Sequence, residues 1–288
     1  MLEGKKKYNP MMIRITIILL LLTFSAVASV SVAVSIAPQK YFVEQIMGEG
    51  SEITVLVPNG SSPATYAPKP SQLKALNKAS LYFSIGVAFE KNWLPRFASI
   101  NKKLKVIDTC KGITKRTMAH KHGDHHHEGS DPHIWLSPKL VMIQAKTIKD
   151  ALVTQAPSQK EKYEKNYKAF VTKLEALDEK IKAILSPLKQ KSFIVFHPSF
   201  GYLSDDYGLT QIAIEKEGKE PSLRHIKRVI DYAKEHKIKT VFVAPQFSQK
   251  AASQIAKQIG ADVNTINPLS VDWETNLLDI AKSFEKAN

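Results

Sequence analysis

The chain has 288 residues, 43% of them apolar, which suits one large or two medium globular domains and excludes a disordered protein or a polytopic membrane protein. Its formal charge is +14. The lysines are spread through helical stretches and are not interleaved with aromatic side chains, so they read as solvated surface and no nucleic-acid partner is expected.

At the N-terminus Lys5, Lys6, Lys7 and Arg14 precede an apolar run over 15–24, and Ala26-Val27-Ala28 follows. This is the order of a secretory signal peptide at 1–28, cleaved after Ala28. A membrane anchor is the rival, because no charge interrupts 15–37. Val30, Val32 and Val34 alternate with Ser29, Ser31, Ala33 and Ser35 at the period of a strand, which assigns them to the folded protein and favours cleavage. Removing 28 residues takes away four Lys/Arg and one Glu, so the formal charge falls from +14 to +11. Cys110 is the single cysteine, so the chain forms no internal disulfide and carries no thiol near the cleavage point for lipid attachment. The expected location is periplasmic. Cys110 itself reads as a small buried residue at a strand end.

Short apolar runs at 30–37, 53–57, 81–85 and 104–108 alternate with helical segments at 41–47 and 71–78, giving an N-terminal α/β lobe over 29–157. In 158–185 the residues Tyr163, Tyr167, Phe170, Leu174, Leu177, Ile181 and Ile184 recur every three or four positions, the mark of one amphipathic helix. Ser158 with Glu161 is its expected cap and Pro187 its end, so the linking helix occupies 158–187 and its 28 residues to Leu185 span about 42 Å. The strand rhythm resumes at 193–196, 210–213, 240–243 and 263–266, with helices at 222–235 and 248–259, in a C-terminal lobe over 188–288. The expected fold is therefore α/β: two similar lobes, each a mainly parallel sheet flanked by helices, joined by one long rigid helix.

Residues 118–129 hold five of the nine histidines, His120, His122, His125, His126 and His127, without apolar periodicity, and read as a loop. Their imidazoles suit zinc, copper or nickel. His120 to His125 also fits the H-x-H-x-D-H pattern of metallo-β-lactamase-type hydrolases. That pattern needs an apolar strand before it, whereas 111–119 is polar, basic and broken by Gly112. No nucleophile-activating arrangement occurs elsewhere, so no enzyme is expected. His133 in Asp131-Pro132-His133-Ile134-Trp135 and His197 in Phe196-His197-Pro198-Ser199-Phe200-Gly201-Tyr202 sit beside ordered segments. His197 leaves the end of a strand, where open α/β folds bind ligands. One histidine from each lobe makes a metal pair. His225 and His236 have charged neighbours and read as surface residues.

These motifs come with Pro63-Ala64-Thr65-Tyr66-Ala67-Pro68, Ser71-Gln72, Gly86 with Phe89-Glu90 and Trp93-Leu94, Tyr207-Gly208-Leu209, Glu220-Pro221-Ser222, Val241-Phe242-Val243-Ala244-Pro245-Gln246 and Asn267-Pro268-Leu269. In that order, through nearly the whole mature chain, they resemble the metal-binding subunits of ABC importers, the ZnuA/TroA-like solute-binding family. The resemblance implies two lobes, a backbone helix, a metal site in the cleft and, in zinc-type members, a His-rich loop before the second ligand. It further implies a monomer that delivers a transported ion to an integral-membrane ABC permease with its ATPase. Zinc is the expected ion, ahead of manganese, iron or copper, and imidazole-rich ligation with no carboxylate in evidence leans away from manganese in particular.

The departures from the family are specific. Its first ligand is a His where Ala64 stands, a carboxylate usually stands at Ala67, its last ligand is usually an Asp where this chain has Asn267, and many members have Glu at Ala244. Only His133 and His197 remain. Two imidazoles bind zinc weakly, so His125, His126 or His127 is expected to swing into the space beside Ala64, unless the metal arrives wrapped by a small chelator or uptake has been lost. Ligation needs neutral imidazole, so binding should weaken as pH falls toward and below about 6.5. The long helix predicts small lobe motions. The alternative from another class is a periplasmic zinc buffer or metallochaperone built on the His-rich loop.

Overall fold

A computed structural model describes residues 30–118, 129–215 and 221–288. The expected signal peptide at 1–28 and the loop residues His120, His122, His125, His126 and His127 lie outside the described residues, as does the hydrolase-like pattern they form. Among the described residues no helix is long and apolar enough to cross a membrane.

The first sheet contains β1 (Val32–Val34), β2 (Ile53–Val55), β3 (Leu81–Ser84) and β4 (Lys105–Asp108) in the order β2-β1-β3-β4. The second contains β5 (Ser192–Val195), β6 (Thr210–Ala213), β7 (Thr240–Val243) and β8 (Asp262–Thr265) in the equivalent order β6-β5-β7-β8. Every pairing is parallel, with Val32 opposite both Ile53 and Leu81, and Ile194 opposite both Ile212 and Val241. Parallel strands need crossover helices, which cover both faces. Val32, Ala33 and Val34 are accordingly all buried, so the Val/Ser–Ala alternation expected of a half-exposed strand is one of size and not of exposure. Strand order reverses between β1 and β3 and between β5 and β7, and ligands of open α/β sheets bind beyond the strand ends at such points.

Helices α1 (Ala37–Met47), α2 (Pro70–Leu76), α3 (Ala88–Ile100) and α4 (Pro138–Gln155) belong to the first half, and α5 (Lys160–Leu185) links to the second. The second half adds α6 (Gly201–Tyr207), α7 (Leu223–Glu235), α8 (Gln249–Ile259) and α9 (Trp273–Lys286). Local chemistry sets the starts: the hydroxyls of Ser137, Ser222 and Ser248 accept the N–H groups of Leu140, His225 and Ala251 at 3.2–3.3 Å. The linking helix begins two residues later than expected. Pro157–Gln159 form a 3-10 turn closed by Gln159 N–H to Ala156 O at 2.9 Å, so Ser158 lies inside that turn and caps nothing. Gln159 takes the cap position without a side-chain bond.

Along its 26 residues, about 39 Å, α5 buries Tyr163, Phe170, Leu174, Leu177, Ile181 and Leu185. This apolar face packs against α1 and α4 of the first half and α9 of the second. One continuous core runs through all of them, and a smaller cluster fills the far face of the second sheet. The seam between the halves is aromatic and hydrogen-bonded. Trp273 of α9 meets Phe42 of α1 edge-on at 5.0 Å, Tyr41 donates to Glu274 at 2.7 Å, and Trp273 Nε1–H donates to Trp135 O at 2.8 Å. Trp135 Nε1–H in turn donates to Pro268 O at 2.7 Å.

Candidate metal centre

His133 stands at the head of the buried 3-10 turn Ile134–Leu136. Two residues earlier, Asp131 Oδ1 accepts both the backbone N–H of His133 at 3.0 Å and the ring Nδ1–H at 2.7 Å. One carboxylate oxygen thus fixes the backbone turn and the ring together. Asp131 is itself held: Tyr202 from α6 donates to its carbonyl at 2.8 Å, and Arg116 lies beside Oδ2 at 4.0 Å. The start of α6 comes so close that a Cβ on Gly201 would lie 1.6 Å from Arg116 Nη1 and 2.8 Å from Asp131 Oδ2, so a larger residue there would have to push those side chains aside.

His197 leaves the C-terminal end of β5, and Ser199 N–H bonds back to its carbonyl at 2.8 Å in a tight turn through Pro198. The strand pairing continues past β6, with Glu215 N–H donating to Phe196 O at 2.8 Å, and this brings Glu215 alongside. Its Oε2 accepts from His197 Nδ1 at 3.1 Å. Phe247 stacks on the other side of the imidazole at 4.5 Å. Burial pulls the His197 pKa below its ordinary value; the Glu215 hydrogen bond pulls the other way, and the neighbouring His133 adds to the lowering.

The two rings meet across the cleft with centroids 5.2 Å apart at 70°. Two imidazoles on one tetrahedral zinc, with Zn–N of about 2.0–2.1 Å, place their centroids roughly 5 Å apart. Both Nδ1–H groups face carboxylates, so both rings are held in the tautomer whose Nε2 carries the free lone pair. A carboxylate behind the ligating histidine is the usual outer support of a zinc site. Each carboxylate spends one oxygen in this way, Glu215 Oε1 stays buried without a hydrogen-bond partner, and no three His, Cys, Asp or Glu side chains converge as a metal cluster among the described residues.

The substituted positions are plain in the structure. Ala64 is an exposed methyl in the turn after β2, Ala67 is exposed, and Ala244 is buried with its carbonyl accepting from Phe247 N–H. Asn267, counted among the departures, has its amide oxygen engaged: Oδ1 accepts from Leu269 N–H at 3.1 Å and from Gln246 Nε2 at 3.2 Å. His225 and His236 are partly buried and not simply on the surface. His225 Nε2 is 3.0 Å from Ala213 O, and His236 stacks on Tyr232 at 3.8 Å. Cys110 is the buried residue expected, its thiol donating to Ile85 O.

Sequence reasoning missed Glu215, Arg116 and Phe247, and it quoted Asp131 without giving it a role. The Asp-x-His spacing was a usable signal for Asp131. For Glu215 the signal was a lone acid directly after the apolar run Ile212–Ala213–Ile214.

A family model described as ZnuA, the zinc-uptake complex component A, periplasmic, matches residues 32–286. The chain belongs to the ZnuA family. Family members are non-enzymatic components of transport. Among similar proteins is the high-affinity zinc uptake system protein ZnuA of Bacillus subtilis, 32% identical over 81% of this chain and 76% of that protein. A putative metal-binding protein of Chlamydia trachomatis is 30% identical over 88% and 90%. The zinc-binding lipoprotein AdcA of Streptococcus pneumoniae is 33% identical over 81% of this chain, which spans only 48% of that protein's length. Solved structures agree: a crystal structure of ZnuA superposes with a TM-score of 0.85 at 44% identity, covering 90% of this chain and 99% of the other. A ZnuA deletion mutant with zinc bound gives 0.85 at 45%, covering 90% and 98%.

Proposed function

We propose that this ZnuA-family chain is an exported solute-binding protein that captures zinc between its lobes with Nε2 of His133 and Nε2 of His197 and delivers it to an integral-membrane ABC permease driven by its ATPase. The observation that carries this reading is the pair of imidazoles 5.2 Å apart, each backed by its own carboxylate. The zinc named in the relatives' descriptions supports the choice of ion. A signal peptide at 1–28, a periplasmic location and a monomeric state complete the proposal, with lobes at 29–157 and 188–288 and a linking helix over 158–187.

The histidines His120, His122, His125, His126 and His127 gather zinc for delivery to the pair. The described residues on either side of their segment support this: Thr117 and Ser130 form an antiparallel bridge, Met118 N–H donates to Gly129 O at 3.0 Å, and Asp131 N–H donates to Arg116 O at 2.9 Å. Calorimetric zinc titration of the demetallated chain tests the assignment. One ion per chain, lost in both His133→Ala and His197→Ala and kept when 118–129 is deleted, is the expected result. Several weak ions lost only with that deletion would make the protein a zinc buffer or metallochaperone instead.

A further inference from the structure

Glu215 is 4% exposed and stands behind His197, where its Oε2 accepts from Nδ1 at 3.1 Å. Nδ1 and Nε2 point away from each other across the ring, so the carboxylate supports the imidazole from the far side and does not touch an ion on Nε2. Its other oxygen, Oε1, is buried without a hydrogen-bond partner. A buried anion left short of donors is costly unless a cation lies near. Among the described residues no Lys or Arg pairs with Glu215. Asp131 is a second buried carboxylate, 2% exposed, behind His133. Arg116 lies 4.0 Å from its Oδ2 but pairs more closely with Asp205, at 3.3 Å. Two carboxylates thus flank two neutral rings, offset only by a guanidinium that Asp205 already claims. A dication on the Nε2 atoms balances that charge, whereas a monocation leaves one negative charge buried.

Resting on the zinc reading above, we infer that Glu215 is the positioning residue that makes the histidine pair select a divalent over a monovalent metal ion, its buried charge acting through the His197 ring without ligating the metal. Coulomb energy scales with the charge of the ion, so the carboxylate attracts Zn2+ twice as strongly as Cu+ or Ag+ at the same place. The spacing of the rings works in the same direction. Their 5.2 Å separation fits the bent N–metal–N angle of a tetrahedral ion, whereas the linear two-coordination of soft monocations would need roughly 6 Å at the same bond lengths. Neither ring is free to spread: Asp131 holds the His133 backbone and Nδ1 together, and Glu215 and Phe247 hold His197. No soft ligand compensates, since the single thiol, Cys110, is buried and donates to Ile85 O.

The test compares Zn2+ with Ag+, a redox-stable stand-in for Cu+, by equilibrium dialysis of the demetallated full chain. The ion held by the pair is the amount lost in His197→Ala, which subtracts ions held elsewhere. Glu215→Gln keeps an acceptor for Nδ1 and removes the charge, and a urea melt checks that it is folded. It should weaken zinc by about tenfold or more and silver only by about the square root of that factor. Glu215→Asp, which keeps the charge and disturbs the hydrogen bond, should keep the wild-type preference between the two ions. If Glu215→Gln unfolds, Glu215→Thr removes the charge in its place, with the same result expected. Equal losses for both ions, zinc affinity within twofold of wild type in the uncharged variant, or a wild-type pair that binds silver more tightly than zinc overturns the inference. Failure of the underlying zinc reading looks different: no zinc is held under any condition, or His133→Ala leaves zinc binding unchanged.

Discussion

Replacing Asp131 by asparagine isolates the contribution of the charge behind His133. The amide oxygen of Asn can accept the same two N–H groups, from the His133 backbone at 3.0 Å and from Nδ1 at 2.7 Å, so the ring keeps its place. Two things change. The bonds lose their charge assistance, roughly half their strength. The second oxygen, 4.0 Å from Arg116 Nη1, becomes a donor facing a donor. Outer supports of zinc histidines are worth about 10- to 100-fold in metal affinity, which is ~1.4–2.7 kcal/mol. Competition against a fluorescent zinc chelator at neutral pH measures this, and a urea melt confirms that the variant is folded. Asp131→Ala should lose more, because it also leaves the buried His133 N–H unpaired, at a cost of about 1–3 kcal/mol in stability. Zinc affinity of folded Asp131→Asn within twofold of wild type would refute the reasoning.

Other consequences follow from single residues. Burial holds the His197 pKa below its ordinary 6.5, so that ring should stay neutral and able to ligate as pH falls through 6.5; the same group stabilises the fold above its unfolded pKa and loses that contribution as pH falls through the folded one. A His197 titration midpoint at or above 6.5, followed by NMR of the demetallated chain, would contradict this. Gly201→Ala must displace the Arg116 guanidinium and the Asp131 carboxylate, which should cost about 1–3 kcal/mol in a urea melt and weaken zinc binding as well. Leu174→Ala, in the buried face of α5, should cost about 2–5 kcal/mol without changing metal affinity. Burial pushes the Cys110 thiol up to about 11, so iodoacetamide should label it only after unfolding; prompt labelling of the native chain would show the site to be open.

The parts of this architecture that rest on periodic apolar burial were legible in the sequence. The strands at 210–213 and 240–243 agree to the residue, and the stripe from Tyr163 to Ile181 became the buried face of α5. Helix α3 was obscured by Pro95 in its interior, and α4, with apolar and polar residues closely mixed, shows only a weak stripe. The spacing Trp273, Leu277, Ile280, Ala281, Phe284 of α9 was readable and went unread. At the site, His133 and His197 could be found because each sits at the edge of an ordered segment. Their carboxylates were harder. Asp131 acts within three residues, but Glu215 is 18 positions from His197 and reaches it only because β5 and β6 pair in parallel. That the Asn267 amide oxygen is taken up by Leu269 N–H and Gln246 Nε2 could not be read from its identity.

Anomalous diffraction at the zinc edge from crystals of the full chain loaded with one equivalent of zinc tests the central claim most directly. The account predicts a single strong peak about 2.0–2.1 Å from Nε2 of His133 and Nε2 of His197, with both Nδ1 atoms still on Asp131 and Glu215. A peak bound through Nδ1, or one that touches neither ring, would contradict it.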